Sequence, residues 1–300
     1  MKIKIIAKTD IGHNREQNED AFAVCPNLHS PRWEQTESCE DFGEYGSLLA
    51  VADGMGGANA GEVASSISIK TIQEQFTPSN IATVVHDKKH IIEFLSKTVS
   101  LADKAINDVM TQRPETYGMG TTIVICWLLH DQAYVAWCGD SRCYVYNDAS
   151  GLKTLTKDHS WVQELVDRGE ISKEEAFHHP DNNIITRGLG DFITNAVPDI
   201  VTQPIKPNDI ILLCSDGLCG YCDHQTIEKI IKDNQTNLNR CCDTLINTAL
   251  KTDAEDNITV ALASLSEMGG KRFLSFFKSL PTILNHNRHE KHTTKKIKTL

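Results

Sequence analysis

The hydrophobic positions of this chain form short runs that stop abruptly at acidic residues. The apolar run at residues 48–52 ends at Asp53, which is followed by a turn containing Gly54, Gly56 and Gly57. A run of this length that ends at a turn signal is typical of a buried strand. The same succession recurs along the chain: residues 134–138 precede Asp140, residues 210–214 precede Asp216, Asp256 precedes residues 258–262, and Glu19 and Asp20 precede residues 21–24. The pattern therefore predicts strands with a carboxylate at one end.

Segments with helical spacing of apolar residues are grouped between these strands rather than alternating with them. The spacing predicts helices at residues 60–76, 90–110, 161–168, 171–177, 226–232 and 240–250. Grouped strands and grouped helices favour an α+β sandwich of antiparallel sheets over a doubly wound parallel sheet. Because the end of one strand and the start of its neighbour share an edge of an antiparallel sheet, we expect the acidic residues to meet on one rim. We interpret the polar residues 157–188 as a flap beside that rim, and residues 26–46 as a surface hairpin loop.

Composition and charge narrow the class of protein. The 300 residues suit one large or two small domains, and the formal net charge of -10 argues against nucleic acid as the main partner. We expect no signal peptide, and the longest apolar run, residues 123–129, is too short to cross a bilayer. Several of the ten cysteines, such as Cys126, lie in apolar runs, which predicts core thiols in a reducing, cytoplasmic compartment. For Cys219 and Cys222 we favour a structural role over a metal or redox pair.

Carboxylates gathered on one rim have a defined chemistry. Two of them ~5 Å apart repel by roughly 3 kcal/mol at an effective dielectric of ~20, so such a group takes up protons or binds cations. The hard divalent ions Mg²⁺ and Mn²⁺ are the natural counter-charge, and a pair of them can activate water and bind a phosphoryl group. The alternative is that each aspartate only caps a turn, which is a better explanation for one aspartate than for the whole set.

Arg15 lies in a polar loop that contains Gly12 and Asn14 and leads to the acidic pair at residues 19–20. A guanidinium group binds phosphate through two parallel hydrogen bonds, so an arginine beside acidic metal ligands suits phosphate capture. The alternative is a surface arginine that neutralises the neighbouring acids.

Six motifs in register give the chain a resemblance to a known family. They are residues 15–20, 53–57, 118–122, 139–142, 214–217 and 256–257. Together they resemble the PPM/PP2C family of metal-dependent Ser/Thr protein phosphatases in its bacterial form, over roughly residues 8–265. The resemblance implies an α+β fold, a four-layer sandwich of two antiparallel β-sheets flanked by helices. We therefore expect a phosphatase domain at residues 1–267, followed by a separate extension at residues 268–300.

The resemblance also implies two tightly bound Mn²⁺ or Mg²⁺ ions and a weaker third ion. The implied ligands are Asp53 as the bridge, Asp216 and Asp256 at the first ion, the Gly54 carbonyl with Glu19 and Asp20 at the second, and Asp140 with Asp216 at the third. Arg15 would bind the phosphate of the substrate. The implied reaction is hydrolysis of phosphoserine and phosphothreonine by in-line attack of a metal-bridging hydroxide, with no phosphoenzyme. Its catalytic set would be Arg15, Asp53, Asp216 and Asp256.

The chain departs from the family where the usual proton donors stand. Members of the family carry a histidine at one of two positions that are Met55 and Ala58 in this sequence. For protonation of the leaving oxygen our first choice is therefore metal-bound water. The second choice is His159 in the predicted flap.

The extension and the partners complete the expectations. Residues 268–300 hold eight lysines and arginines against one acid, with an apolar stretch at residues 273–280. Such a segment docks on an anionic membrane surface or an acidic partner, or it is a solvated, partly disordered extension, which we favour. We expect a monomer that acts on phosphorylated proteins in opposition to a Ser/Thr kinase. The alternatives are a catalytically silent phosphopeptide-binding member, against which the filled acidic positions argue, and a metal nuclease, against which the net charge argues.

Overall fold

The structure is a computed structural model, and it describes residues 1–33, 38–56, 60–190, 196–252 and 254–267. The chain divides into two units, of which the first is Met1–Glu267. The extension expected at residues 268–300 lies outside the described residues, as do Gly57 and Ala58 of the glycine-containing turn. The predicted role of the extension therefore stays a prediction.

The strands and helices are as follows. In chain order the strands are β1 (Lys2–Asp10), β2 (Asp20–Cys25), β3 (Ser38–Asp41), β4 (Ser47–Met55), β5 (Gly120–Thr121), β6 (Ile123–Leu129), β7 (Gln132–Cys138), β8 (Arg142–Asn147), β9 (Gly151–Thr154), β10 (Leu189–Gly190), β11 (Asp199–Pro204), β12 (Ile210–Cys214) and β13 (Ile258–Ser266). The helices are α1 (Gly61–Gln75), α2 (Pro78–Ile81), α3 (Lys88–Gln112), α4 (Trp161–Asp167), α5 (Lys173–Phe177), α6 (Asp216–Cys219), α7 (His224–Asn234) and α8 (Leu238–Lys251).

The strands form two antiparallel sheets. The first has the order β3-β1-β13-β12-β8-β9, and the second has the order β10-β5-β4-β6-β7-β11, with β2 paired to β4. Helices α1 and α3 cover the outer face of the second sheet, and α7 and α8 cover the outer face of the first. The expected four-layer α+β sandwich is confirmed.

The apolar runs read from the sequence are strands with two buried faces. In β4, Leu49 and Val51 enter the core between the sheets, while Leu48, Ala50 and Ala52 pack beneath α1 and α3. A strand that is covered on both faces shows a continuous apolar run instead of an alternating pattern. The layers on both sides of each sheet therefore explain the pattern from which the sandwich was predicted.

The prediction of a surface hairpin loop at residues 26–46 is wrong in part, because this segment contains strand β3. The strand pairs with β1 at the edge of the first sheet, with Lys2 opposite Asp41 and Lys4 opposite Cys39. Its sequence is polar and its side chains alternate between exposed and half-buried. A polar edge strand that is held by backbone pairing has no apolar run by which it could be recognised.

The predicted helices differ from the structure mainly at their ends. Helix α3 begins two residues before the predicted start, because the Asp87 side chain accepts hydrogen bonds from the N–H groups of Lys89 and His90 and caps the helix. The short helix α2, which the apolar spacing did not predict, begins at Pro78, a position that suits the fixed φ angle of proline.

The cysteines and the hydropathy agree with a packed globular unit. The ten cysteines, all within the described residues, are thiols that form no disulfide, and Cys39 is exposed while the others are buried. Cys219 and Cys222 are buried thiols, as a structural role requires. Within the described residues, no helix is both long enough and apolar enough to cross a membrane.

Candidate active site

Strand pairing brings the predicted acidic residues to one end of the two sheets. Asp20 at the start of β2 lies directly opposite Asp53 near the end of β4. Asp216 opens helix α6 immediately after β12, and Asp256 stands two residues before β13, the strand that pairs with β12. Asp140 follows β7 after a single glycine and is buried. Electrostatic interactions link Asp53 to the other four aspartates, so the structure brings the predicted set together.

Two glycines allow this convergence because a side chain at either position would collide with backbone. A Cβ atom on Gly54 would lie 2.3 Å from the carbonyl oxygen of Gly61 and 2.5 Å from that of Glu19. A Cβ atom on Gly217 would lie 2.0 Å from the carbonyl oxygen of Asn257. The first glycine lets the Asp53 strand pack against helix α1, and the second lets the Asp216 turn pack beside Asp256.

The backbone of Asp53 is fixed by a pair of threonines that the sequence analysis did not assign to the site. The N–H of Asp53 donates to Thr122 Oγ1 at 3.1 Å, and its carbonyl oxygen accepts from Thr121 Oγ1 and from the N–H of Thr122, both at 2.8 Å. Thr122 Oγ1 also lies 2.7 Å from Ser141 Oγ. The hydroxyl groups thus connect the Asp53 turn to the segment that carries Asp140.

Ser215 holds Asp20 across the gap between the two sheets. Its hydroxyl donates to Asp20 Oδ2 at 2.8 Å, and the N–H of Thr259 donates to Ser215 Oγ at 2.9 Å. Ser215 is fully buried. A serine next to a predicted aspartate ligand carries no signal in the sequence that would separate this role from a helix cap.

Asn257 braces the loop that carries Arg15. Its side chain donates to the carbonyl oxygens of Ile11 at 2.9 Å and Gln17 at 3.0 Å, and it accepts from the N–H of Glu19 at 2.8 Å. These three bonds tie residues 11–19 to the start of β13. The loop is therefore held beside Asp256 by a residue that the sequence showed only as part of a motif.

Arg15 reaches the acidic residues directly. Its Nη2 donates to Asp256 Oδ2 at 2.7 Å, and the second carboxylate oxygen of Asp256 accepts from the N–H of Asn257 at 2.8 Å. The hydrogen bond to Asp256 raises the pKa of Arg15 further above its ordinary value. The side chain is nearly half exposed, and Arg15 is among the residues that line the cleft described below.

The carboxylates have strongly perturbed proton affinities. Burial is the largest cause that raises the pKa of Asp53, and the charges of Asp216 and Asp20 raise it further. Burial raises the pKa of Asp20 to about 8 against the opposing hydrogen bonds from Thr259 and Ser215. The pKa values of Asp140 and Asp216 are raised by burial and then by a neighbouring aspartate. Burial also raises the pKa of Glu19.

Four of the acidic residues, Glu19, Asp53, Asp216 and Asp256, form the acidic wall of a cleft of about 300 Å³. The predicted flap also lines the cleft, through Asn183 and Ile185, two residues that the sequence analysis did not single out. The residues lining the cleft are Arg15, Glu19, Asp53, Gly54, Met55, Gly56, Asn183, Ile185, Asp216 and Asp256. The cleft therefore combines a cation, several carboxylates and a small apolar surface.

The donor chemistry of the cleft fits hard divalent cations. Buried carboxylate oxygens of Asp20, Asp140 and Asp216 have no hydrogen-bond partner among the described residues. Unpaired buried oxygens of this kind are the ligands that Mg²⁺ and Mn²⁺ prefer. Within the described ranges, no three His, Cys, Asp or Glu side chains are yet drawn close enough to share one ion.

His159 lies outside the cleft. Its ring is 8% exposed, it stacks on Trp137 with the ring centroids 6.0 Å apart, and its Nε2 lies 3.3 Å from Asp199 Oδ2. Burial lowers its pKa, so the ring is neutral at physiological pH. This geometry disfavours His159 as the proton donor to a leaving group.

Comparison with known proteins identifies the family. The sequence model of the family described as protein phosphatase 2C matches residues 7–258. The serine/threonine phosphatase Stp of Listeria monocytogenes serotype 4b is 35% identical over 256 residues, which cover 85% of this chain and 93% of the relative. The fold is similar to that of the Streptococcus agalactiae serine/threonine phosphatase, with a TM-score of 0.75, 28% identity, and coverage of 88% of this chain and 100% of the other. It is also similar to the catalytic domain of the phosphatase PstP, described in complex with two manganese ions, with a TM-score of 0.71, 29% identity, and coverage of 89% and 100%.

Proposed function

The chain belongs to the protein phosphatase 2C family of serine/threonine phosphatases, and we propose that its acidic cleft hydrolyses phosphoserine and phosphothreonine esters of proteins with two divalent cations. The observation that carries the proposal is the convergence of five aspartates at the cleft that Arg15 lines, three of them with buried carboxylate oxygens that have no hydrogen-bond partner among the described residues. Relatives that are named as phosphatases support catalysis over the alternative of a silent phosphopeptide-binding protein.

The proposed ligands are assigned from the chemistry of the donors. Asp53 would bridge the two ions, Asp216 and Asp256 would hold the first, and Glu19 and Asp20 with the Gly54 carbonyl would serve the second. When bound, Mn²⁺ or Mg²⁺ supplies Lewis acidity, which lowers the pKa of water and neutralises charge on phosphoryl oxygens. The structure of PstP with two manganese ions supports a two-ion site, and we propose a third, weaker position at Asp140.

The chain's own residues then orient the substrate. Arg15 holds Asp256 with one N–H donor, which leaves further donors for the phosphoryl oxygens at the cleft mouth. Charge on these oxygens increases as the bond from phosphorus to the seryl or threonyl oxygen breaks, so a fixed guanidinium favours that transition state. Because His159 is not among the residues that line the cleft and its Nε2 lies beside Asp199, water in the cleft would supply the proton to the leaving oxygen.

The proposal extends to the organisation of the chain. We propose that residues 1–267 carry the phosphatase activity, that the protein acts as a monomer in the cytoplasm, and that its substrates are products of a Ser/Thr kinase. The basic segment at residues 268–300 would be an extension that chemistry does not require, or a contact to an anionic surface or acidic partner.

Hydrolysis of a phosphothreonine peptide and of para-nitrophenyl phosphate by the full chain tests the proposal. With metal removed beforehand, we expect no turnover in excess chelator and recovery on addition of Mn²⁺ or Mg²⁺. Conversion of Arg15 to Lys is the matched variant, because it keeps the charge but loses the planar donor pair. We expect that variant to raise KM for both substrates. Full turnover of metal-free protein would refute the role proposed for the acidic cleft.

A further inference from the structure

The flap approaches the cleft through a short extended segment that pairs with the residues before helix α4. Ser160 and Ile185 form an antiparallel bridge. On either side of the bridge, the N–H of Thr186 donates to the carbonyl oxygen of His159 at 2.8 Å, and the N–H of Trp161 donates to that of Ile184 at 2.9 Å. Residues 183–186 therefore have a defined register and a fixed backbone beside the acidic wall.

Alternate side chains of this segment face different surroundings. Asn183 and Ile185 line the cleft together with Arg15 and the acidic residues. Ile184 between them is not among the lining residues, is 46% exposed and lies beside Trp161. The segment thus contributes one amide and one aliphatic residue to the lining of the cleft. The charged residues that line the cleft are Arg15 and four acidic residues.

These two side chains are unsuited to the phosphoryl group. An aliphatic side chain gains nothing from a phosphate, and a neutral amide binds it more weakly than the guanidinium in the same cleft. Both suit a peptide, because an amide pairs with main-chain N–H and C=O groups and an aliphatic side chain packs against apolar atoms. Because they line the same cleft as Arg15, they are available to the organic part of a phosphoester whose phosphate Arg15 holds.

The buried residue His159 fixes the flap segment to Gly139, which directly follows strand β7 of the second sheet. The N–H of Gly139 donates to His159 Nδ1 at 3.1 Å, and the N–H of His159 donates to the carbonyl oxygen of Gly139 at 3.0 Å. The far end of the segment is held by Arg187, whose Nη1 donates to Asp199 Oδ1 at 2.9 Å. Asp199 lies close to His159 as well, so both ends of the pairing converge on the first residue of β11.

We propose that Asn183 and Ile185 are the specificity-determining contacts for the peptide part of phosphoprotein substrates, and that His159 is the positioning residue that holds them at the cleft. The inference rests on the proposed phosphatase activity. It assigns to the flap the discrimination between a phosphopeptide and a small phosphoester, while the acidic wall and Arg15 handle the phosphate in both.

The test compares N183A and I185A with the matched control I184A, in the full chain with saturating Mn²⁺. Loss of one partly buried aliphatic contact or one hydrogen bond lowers kcat/KM for a phosphothreonine peptide by about 5- to 10-fold. We expect kcat/KM for para-nitrophenyl phosphate to stay within about twofold of wild type, since that substrate lacks a peptide. We expect I184A to leave kcat/KM unchanged for both substrates.

The role of His159 is tested by coupling. We expect H159A to raise KM for the peptide while kcat on para-nitrophenyl phosphate is retained, and H159N to restore part of the loss because it can accept from the N–H of Gly139. We expect the double variant H159A/I185A to lose no more kcat/KM for the peptide than H159A alone, since both changes remove the same contact between Ile185 and the peptide. Independent, multiplicative losses would overturn the positioning role.

Other outcomes overturn the inference in distinct ways. Equal losses on the peptide and on para-nitrophenyl phosphate would make Asn183 and Ile185 general parts of the cleft. Unchanged kinetics, or a loss in I184A equal to that in I185A, would remove the peptide contact. If the wild-type protein hydrolyses neither substrate with Mn²⁺, the phosphatase proposal itself fails, and this inference fails with it.

Discussion

Replacing Asp53 by Asn should have opposite effects on two quantities: it should raise the stability of the metal-free protein and lower its turnover once metal is added. Asp53 lies opposite Asp20 in the strand pair and is repelled by Asp216. At the ~5 Å typical of cross-strand Cβ atoms, one ionised neighbour destabilises it by roughly 3 kcal/mol at an effective dielectric of ~20. Asparagine keeps the shape and the hydrogen-bonding capacity but removes the charge.

The effect on stability depends on pH with a defined sign. The pKa of Asp53 in the folded protein is raised well above 3.8. Its contribution to stability is therefore fully present below the unfolded value and is lost as pH rises through the folded value. The metal-free D53N variant, which does not titrate there, should match wild type near pH 4. It should become more stable than wild type as the pH increases, by about 1–3 kcal/mol at most.

Turnover should respond in the opposite direction. Loss of the proposed bridging ligand removes about 4 kcal/mol of transition-state stabilisation, or roughly 10³-fold in rate, because metal ions contribute several kcal/mol to such reactions. The assays are thermal denaturation in chelator at several pH values and phosphopeptide hydrolysis at saturating Mn²⁺. A rate within tenfold of wild type, or a metal-free variant that is less stable than wild type at pH 8, would refute the reasoning.

Two further predictions follow from the same residues. Conversion of Asp140 to Asn should lower turnover, most visibly on phosphopeptides, while calorimetry still counts two tight Mn²⁺ ions; an unchanged saturated rate with a lowered Tm would make Asp140 a turn-capping residue. Because burial raises the pKa of Asp20 to about 8 in the metal-free protein, protons compete with cations, so the affinity for Mn²⁺ and the rise in Tm on binding it should increase between pH 6 and 8. A constant affinity across that range would show that these carboxylates do not bind the ion.

The parts of the fold that could be predicted from the sequence are those whose burial requires apolar side chains. Strands such as β4 and β12 are covered on both faces, so their apolar runs are unmistakable. Strand β3 was not predicted because it pairs through its backbone at a sheet edge, where apolar side chains are not required. Helix α3 began earlier than predicted because its start is decided by the Asp87 cap and not by apolar spacing.

The acidic residues were predictable because each stands at the end of a strand, where antiparallel pairing shares edges. The residues that hold them were not, since their roles depend on contacts between distant segments. Ser215 reaches Asp20, Thr122 reaches Asp53, and Asn257 braces the loop at residues 11–19. Asn183 and Ile185 line the cleft although they are distant in sequence from the acidic residues beside them. Hydroxyl and amide side chains are too common in loops for spacing alone to identify them.

The most direct test of the account is a stoichiometric titration of metal-free protein with Mn²⁺, in which bound metal and phosphopeptide turnover are followed in the same samples. The account predicts that turnover rises with occupancy and reaches its plateau as two tight ions bind per chain. Conversion of Asp216 to Asn should abolish at least one of the two tight sites and the activity with it. Turnover that is complete before any metal binds, or tight binding of two ions by the variant with its activity intact, would contradict the assignment of the acidic cleft as a two-ion phosphatase centre.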